Sequence, residues 1–332
     1  MNKLRFIFKR LKSFNFKAMF STAKKISKKT HRLFIVVLID IVYCGFKYQA
    51  GYNDYLEFEF YLLNKKQRMT YLTAGKNNEI VRKYNNKEYW HLLDDKIEFN
   101  EMFNEYLKRD WLDLRKTSIE KFEEFISKHE VIIVKPIDDC GGNGVEKIDT
   151  KAFNSLQELY DKLKEEGKLL VEECIIQHEE MNKLYSNSVN TLRLFTINKN
   201  GETACIQYIL KIGNGSFIDN FSSGGMYTFL NEQGIVIAPA IDKYDNVFEK
   251  HPISNKKIVG FKVPYFNEAI KMVCDAAKEI NQVGYIGWDV AITKNGPAIL
   301  EGNCFPGVFQ LRPSFSKDKI GILPKYSKFI EI

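Results

Sequence analysis

The stretch from Gly284 to Gly307, reading GYIGWDVAITKNGPAILEGNCFPG, constrains this chain more than any other. Two short apolar runs, Ile286 to Ile292 and Ala298 to Leu300, flank Lys294-Asn295-Gly296-Pro297. Asn-Gly between β-formers is a strong short-range hairpin signal, so a two-stranded ribbon is expected. Its polar residues are oddly placed for a purely structural ribbon. Asp289 interrupts the first run, while Glu301 and Asn303 end the second, two apart and therefore on one face. Carboxylate and amide oxygens are what Mg²⁺ takes, with water and substrate phosphates completing the octahedron. A two-residue turn at Asn295-Gly296 sets Gly302 opposite Asp289, and one more loop residue sets Glu301 there. A slip of one flips the face, so the pattern leaves the register open. The competing reading is a hairpin with solvated polar positions.

Further upstream, Val131 to Val134 is a continuous β-branched run that leads to Lys135-Pro136 and then to Asp138-Asp-Cys-Gly-Gly-Asn-Gly144. A buried strand delivering a lysine, followed by Gly141, Gly142 and Gly144 whose amides can approach a phosphate closely, makes a sensible nucleotide site. It is not a P-loop, because the Gly-Lys-Ser/Thr ending is missing. Thr191 to Ile197 alternates as a strand, and Glu202 to Ile212 pairs with it across Asn198-Lys-Asn-Gly201. Arg193 and Lys211 each break apolar surroundings, where an unpaired charge is expensive. Each is expected to meet an anion or a carboxylate, an internal ion pair being the alternative. Asp219-Asn220-Phe-Ser-Ser-Gly-Gly225 is a loop that closes on phosphate or substrate, or else a plain turn.

Asp in a strand, about a dozen residues, then Glu-x-Asn followed by Pro-Gly resembles the metal-binding end of ATP-grasp enzymes. His178, Asn190-Thr191-x-Arg193, Asp219-Asn220 with Gly224-Gly225, Gly287-Trp288-Asp289 and Glu301-Gly302-Asn303 together resemble the sugar-transfer-associated ATP-grasp family, which is linked to α-L-glutamate-ligase-like proteins. The resemblance covers roughly Asp40 to the C-terminus. It implies an α+β fold, with two α+β subdomains clasping ATP after a mainly helical N-terminal region. It further implies that Asp289, Glu301 and Asn303 hold Mg²⁺, that Lys96 and Lys135 reach ATP phosphates, and that Glu172 or Glu173 with backbone near Ile175 reads the adenine edge. Glu179 or Glu180 falls where a ribose carboxylate is expected, and His178 matches a family position. Arg193 then faces the transferred phosphoryl group or the acceptor carboxylate, with Lys211, which stands where relatives more often carry Arg, and Asn220 nearby. The implied activity is a carboxylate-amine ligase forming an amide through an acyl phosphate, on a sugar acid in surface polysaccharide synthesis. A kinase acting on a hydroxyl and a non-catalytic nucleotide-binding module at a membrane surface are the alternatives.

Charge sets limits on partners. Residues 1–32 hold 11 Lys or Arg and no acid, beneath an overall net charge of +7, so the rest of the chain carries −4. A nucleic-acid role would rest on that segment alone, and none is expected. Leu4, Ile7, Phe8, Leu11 and Phe14 near helical spacing describe a basic amphipathic helix able to lie on an anionic membrane surface. Leu33 to Phe46 is too short to span a bilayer and is expected as a buried helix. Six cysteines without a C-x-x-C pair fit reduced thiols in a cytosolic protein, associated with the inner face of the membrane through residues 1–32. Four divisions are expected: a basic segment 1–32, a mainly helical region 33–127, a small subdomain 128–184 with the glycine-rich loop and adenine hinge, and a large subdomain 185–332 with the metal and acceptor site.

Overall fold

The computed structural model describes residues 15–137 and 144–331. Leu4, Ile7, Phe8, Leu11 and Phe14, the whole of the expected amphipathic face, lie outside the described residues, as do Gly141 and Gly142. The chain divides into two compact units. One runs to Ile80 and includes Val308–Ile332, and the other is Val81–Gly307. The last residues group with the first, where Gln310 donates to the Leu72 carbonyl (2.5 Å) and accepts from its amide (2.9 Å).

The first unit is helical around an aromatic core of Tyr48, Tyr55, Phe58, Phe60 and Tyr71. Helix Phe16–Thr30 opens with Asn15, whose side chain accepts from the Ala18 amide, and buries Met19, Thr22, Ala23 and Ile26 along one stripe. Helix Phe34–Tyr48 buries Val37, Ile41, Cys44 and Tyr48. The expectation of a buried helix here holds for that face only, since Ile35, Val36, Ile39, Val42, Tyr43 and Phe46 are exposed. Among the described residues no helix is long and apolar enough to cross a membrane.

The second unit holds two antiparallel sheets, in line with two α+β subdomains. Strands β1 (Trp111–Asp113), β2 (Val131–Lys135), β3 (Glu146–Asp149) and β4 (Leu170–Glu173) form a sheet in the order β1-β4-β2-β3. Helices Ile119–Lys128 and Leu156–Glu165 bury Phe122, Phe125, Leu159 and Leu163 in the same core as Ile132 and Val134. The larger sheet comprises β5 (Thr191–Lys199), β6 (Glu202–Ile212), β7 (Met226–Phe229), β8 (Ala240–Asp242), β9 (Val247–Phe248), β10 (Tyr285–Thr293) and β11 (Gly296–Asn303), ordered β11-β10-β5-β6-β7-β8-β9. Alternation sends Leu192, Leu194, Trp288 and Val290 into a core with Val273 and Ala277 of helix Phe266–Glu279. It leaves Arg193, Asp289 and Glu301 on the opposite face, in mutual register. Pro297 is tolerated because β11 is an edge strand.

The hairpin register has a definite answer. Thr293 pairs with Gly296, so the turn is centred on Lys294-Asn295, one residue earlier than the Asn-Gly signal indicates. The Thr293 hydroxyl accepts from the Asn295 amide (3.1 Å) and donates to the Gly296 carbonyl (2.8 Å), which fixes that centre. That turn alone would set Leu300 opposite Asp289. A bulge next to Asp289 leaves Leu300 unpaired and brings Glu301 across from Asp289 and Asn303 across from Gly287.

Candidate active site

A cavity of about 240 Å³ opens between the two sheets of the second unit. Its apolar lining includes Ile133, Val145, Leu170, Ile175, Phe217 and Leu300. Two ionic clusters stand in its wall.

Glu172 is the centre of the first. Its side chain is 3% exposed, and one oxygen takes Arg109 Nη2 (2.7 Å) and Asn100 Nδ2 (3.1 Å) while the other meets Lys135 Nζ. Burial opposes the carboxylate charge, but Arg109 and then Lys135 overcome it and hold Glu172 well below the usual carboxylate range. One acid against two cations leaves this cluster a formal surplus of one positive charge, and Lys96, Asp94 and Glu173 also line the cavity. Lys96 opens helix Lys96–Met102, with Asp95 capping it, and its ammonium donates to the Ile137 carbonyl at 3.2 Å.

Asp289 is the centre of the second. Arg193 grips it with two prongs, Nε to Oδ1 at 2.5 Å and Nη2 to Oδ2 at 2.9 Å, and Lys211 Nζ adds a third contact at 3.1 Å. A side chain at Gly287 would place its Cβ 3.3 Å from the Arg193 guanidinium and 2.8 Å from Pro306, so glycine there leaves Arg193 its room. Lys211 also reaches Asn220 Oδ1 (3.1 Å) and Asp219 Oδ1 (3.5 Å). Asp219 is buried and accepts from both the amide and the hydroxyl of Thr191. Burial again opposes ionisation of Asp289, and Arg193 and Lys211 depress its pKa strongly. Glu301 moves the other way, raised by desolvation in the cavity and by the charge of Asp289. Three carboxylates against two cations leave this end formally negative.

The cluster on the small sheet is thus formally positive and the one on the large sheet formally negative. Arg109 ties them, since it binds Glu172 with Nη2 and the carbonyl of Ile299 with Nη1 at 2.6 Å, beside the bulge that sets Glu301. The donor set at the negative end suits a hard divalent cation. Glu301 is half exposed to the cavity, and Asn303 spends its Nδ2 on the Gly287 carbonyl (3.2 Å), which leaves Oδ1 as its acceptor. Asp289 offers the lone pairs that Arg193 and Lys211 leave.

Lys96, Lys135, Glu172, Glu173, Ile175, Lys211, Asn220, Asp289, Glu301 and Asn303 all line this one cavity, and Arg193 joins it through Asp289. Glu172 is engaged by its three partners, while Glu173 accepts from the Asp110 amide (3.2 Å) with its side chain and donates its own amide to the Asp110 carbonyl (2.9 Å). His178 caps helix Glu179–Leu184, its Nδ1 accepting from the Glu180 amide at 3.1 Å, and it does not line the cavity. Glu180 is paired with Lys183 and also lies outside the lining, as does Gly144, which has a φ of 68°. Arg109 and Asn100 are missed by sequence reasoning. Lys108-Arg109-Asp110 reads as a surface charge run, and nothing local announces a partner 63 positions away.

Residues 75–312 match the profile of a family described as sugar-transfer-associated ATP-grasp. A search of curated proteins finds no match. Among solved structures the chain is similar to the ATP-grasp ligase PsnB complexed with precursor peptide PsnA2 and AMPPNP, at 13% identity and TM-score 0.39 over 68% of this chain and 54% of that one. It is similar to D-alanyl-alanine synthetase A from Vibrio cholerae, at 14% identity and TM-score 0.37 over 71% and 60%. It is also similar to the biotin carboxylase domain of the Hydrogenobacter thermophilus 2-oxoglutarate carboxylase in complex with MgADP, at 14% identity and TM-score 0.41 over 66% and 41%. The chain spans about half the length of these solved structures.

Proposed function

The chain belongs to the sugar-transfer-associated ATP-grasp family, and from that premise we propose that it is an ATP- and Mg²⁺-dependent carboxylate-amine ligase. The observation that carries this reading is the opposed polarity of the cavity, positive around Glu172 and negative around Asp289. A triphosphate with its cation has the same polarity. Lys135 and Lys96 meet its phosphates, Glu173 to Ile175 border the base, and Asp289, Glu301 and Asn303 hold the cation, which supplies charge neutralisation at the transferring phosphoryl group.

The acceptor carboxylate attacks the γ-phosphorus, the bond to the bridging oxygen breaks, and ADP leaves. The resulting acyl phosphate is captured at carbon by an amine, with inorganic phosphate departing. Arg193 and Lys211 are fixed by Asp289 before any substrate arrives, so they cost little reorganisation as charge develops beside them. The acid we assign is a sugar acid of a surface polysaccharide or its precursor, and the amine an amino acid or related compound. Residues 1–32, with 11 cations and no acid, recruit the enzyme to an anionic membrane surface where lipid-linked precursors reside.

The test is incubation of the full chain with Mg-ATP and a panel of sugar acids and amino acids, following ADP release and product mass. ADP release that requires both an acid and an amine, with an amide product, is the expected result. Release with a hydroxyl acceptor alone and a phosphorylated product would replace the ligase by a kinase.

A further inference from the structure

Helix Phe34–Tyr48 is apolar on two sides, whereas a helix covering a single core needs one. Val37, Ile41, Cys44 and Tyr48 face inward at 0 to 4% exposure. Ile35, Val36, Ile39, Val42, Tyr43 and Phe46 fall on the opposite side at helical spacing, with Ile39 62% and Phe46 84% exposed. From Ile35 to Phe46 this ridge runs about 17 Å at the α-helical rise. Phe20 of helix Phe16–Thr30 stacks on Phe34 at 6.1 Å and widens it. A contiguous apolar surface of this kind marks an interaction site.

Charge decides among its occupants. No acidic residue precedes Asp40, and that carboxylate is held by Arg68 at 2.6 and 2.7 Å. The ridge therefore follows a sequence with 11 cations and no acid, of which Lys29 meets Glu59 at 3.8 Å. A second copy of the chain on a two-fold axis would set the same cationic surface against itself. An anionic bilayer offers apolar depth to the ridge and complements the net positive charge of the basic segment. At 15 residues the helix reaches about 22 Å, short of the roughly 30 Å hydrocarbon core, so it lies in the interface plane.

We propose that the exposed face of helix Phe34–Tyr48 seats in the headgroup and acyl boundary of an anionic bilayer, with Ile39, Val42 and Phe46 as its inserted residues. This adds an apolar anchor to the electrostatic recruitment by residues 1–32 and is independent of the ligase chemistry.

The test is flotation of the full chain with phosphatidylcholine vesicles, with and without phosphatidylserine, over a salt series. Ile39→Ser/Phe46→Ser and Ile39→Glu/Phe46→Glu change only exposed positions, and an unchanged melting transition checks the fold. The wild type is expected to bind phosphatidylserine vesicles at least tenfold better than either variant. It should also retain binding at high salt, where charge attraction alone is screened. Wild-type binding to anionic vesicles that survives undiminished in both variants would overturn the proposal and leave the basic segment as the sole anchor. Variants that bind vesicles normally but lose a dimer on size exclusion would overturn it in favour of a second copy. ADP release from soluble substrates, followed in parallel, reports on the ligase reading alone.

Discussion

Two aspartate-arginine pairs in this protein have nearly the same geometry and opposite meanings. In the helical unit, Arg68 grips Asp40 with Nη1 and Nη2 at 2.7 and 2.6 Å. Its Nε goes to the Phe60 carbonyl (3.1 Å), and Tyr55 donates to the same aspartate (2.6 Å). That network pairs one positive charge with one negative charge. In the second unit, Arg193 grips Asp289 just as closely, yet Lys211 shares the carboxylate and Asp219 and Glu301 crowd the same cations. A two-pronged ion pair therefore does not mark a site. Charges left over after pairing do, because only a ligand can balance them.

The largest effect that would break this contrast is at Glu301. Glu301→Gln is expected to lower turnover about 10³-fold, the loss of several kcal/mol of transition-state stabilisation, while the melting temperature stays put. Near-normal ADP release from this variant would mean that the surplus charge has no catalytic use. Arg68→Ala should do the reverse. Removing one partner of a largely buried pair is expected to cost about 3 kcal/mol in the denaturation of the helical unit, with turnover per folded molecule unchanged. A loss of activity in the folded fraction would show that the two pairs are not separate in role. Lys135→Ala leaves Arg109 on Glu172 but removes the surplus cation, and roughly 30-fold weaker Mg-ATP binding by calorimetry is expected, about 2 kcal/mol. Unchanged affinity would return Lys135 to a structural role.

The smallest effect sharpens the contrast through pH. Asp54 is buried and accepts from the Gly51 and Ala74 amides, and burial raises its pKa to about 6. The native state then holds its proton more tightly than the unfolded chain, so the helical unit gains stability as pH falls through 6. The gain is roughly 1 kcal/mol between pH 7 and pH 5. Asp40 works the other way. Despite burial, Arg68 and Tyr55 keep it below its ordinary value, so the stability it gives is present above about pH 4 and is lost on further acidification. Asp54→Asn should flatten the first limb of the stability profile and leave the second, as denaturant midpoints across pH would reveal.

Local signals in the sequence were legible where chemistry between neighbours decided the outcome. Asn200-Gly201 and Asn295-Gly296 show the limit of such signals. At the first, both residues take positive φ (56° and 87°) and Lys199 pairs with Glu202, the two-residue turn that the dipeptide announces. At the second, the Thr293 hydroxyl recentres the loop, only Gly296 is left-handed (114°), and a bulge at Leu300 restores the face that puts Glu301 opposite Asp289. Strand Val131–Lys135, helix Leu156–Glu165 and helix Phe266–Glu279 follow their apolar periodicity closely. Partners far apart in sequence stayed hidden: Arg68 for Asp40, and Arg109 with Asn100 for Glu172. The sequence marked Arg193 and Lys211 as charges needing company but could not say whose.

Arg109 carries one further consequence. Its guanidinium fastens the carboxylate that steadies Lys135 to the backbone of the strand that presents Glu301 and Asn303. A ligand that shifts the arginine from one end shifts its hold at the other, and thermodynamic linkage makes that influence mutual and equal in size. If the cavity holds nucleotide at one end and cation at the other, as we propose, the two would be coupled through this one buried side chain, each changing the affinity of the other by the same factor.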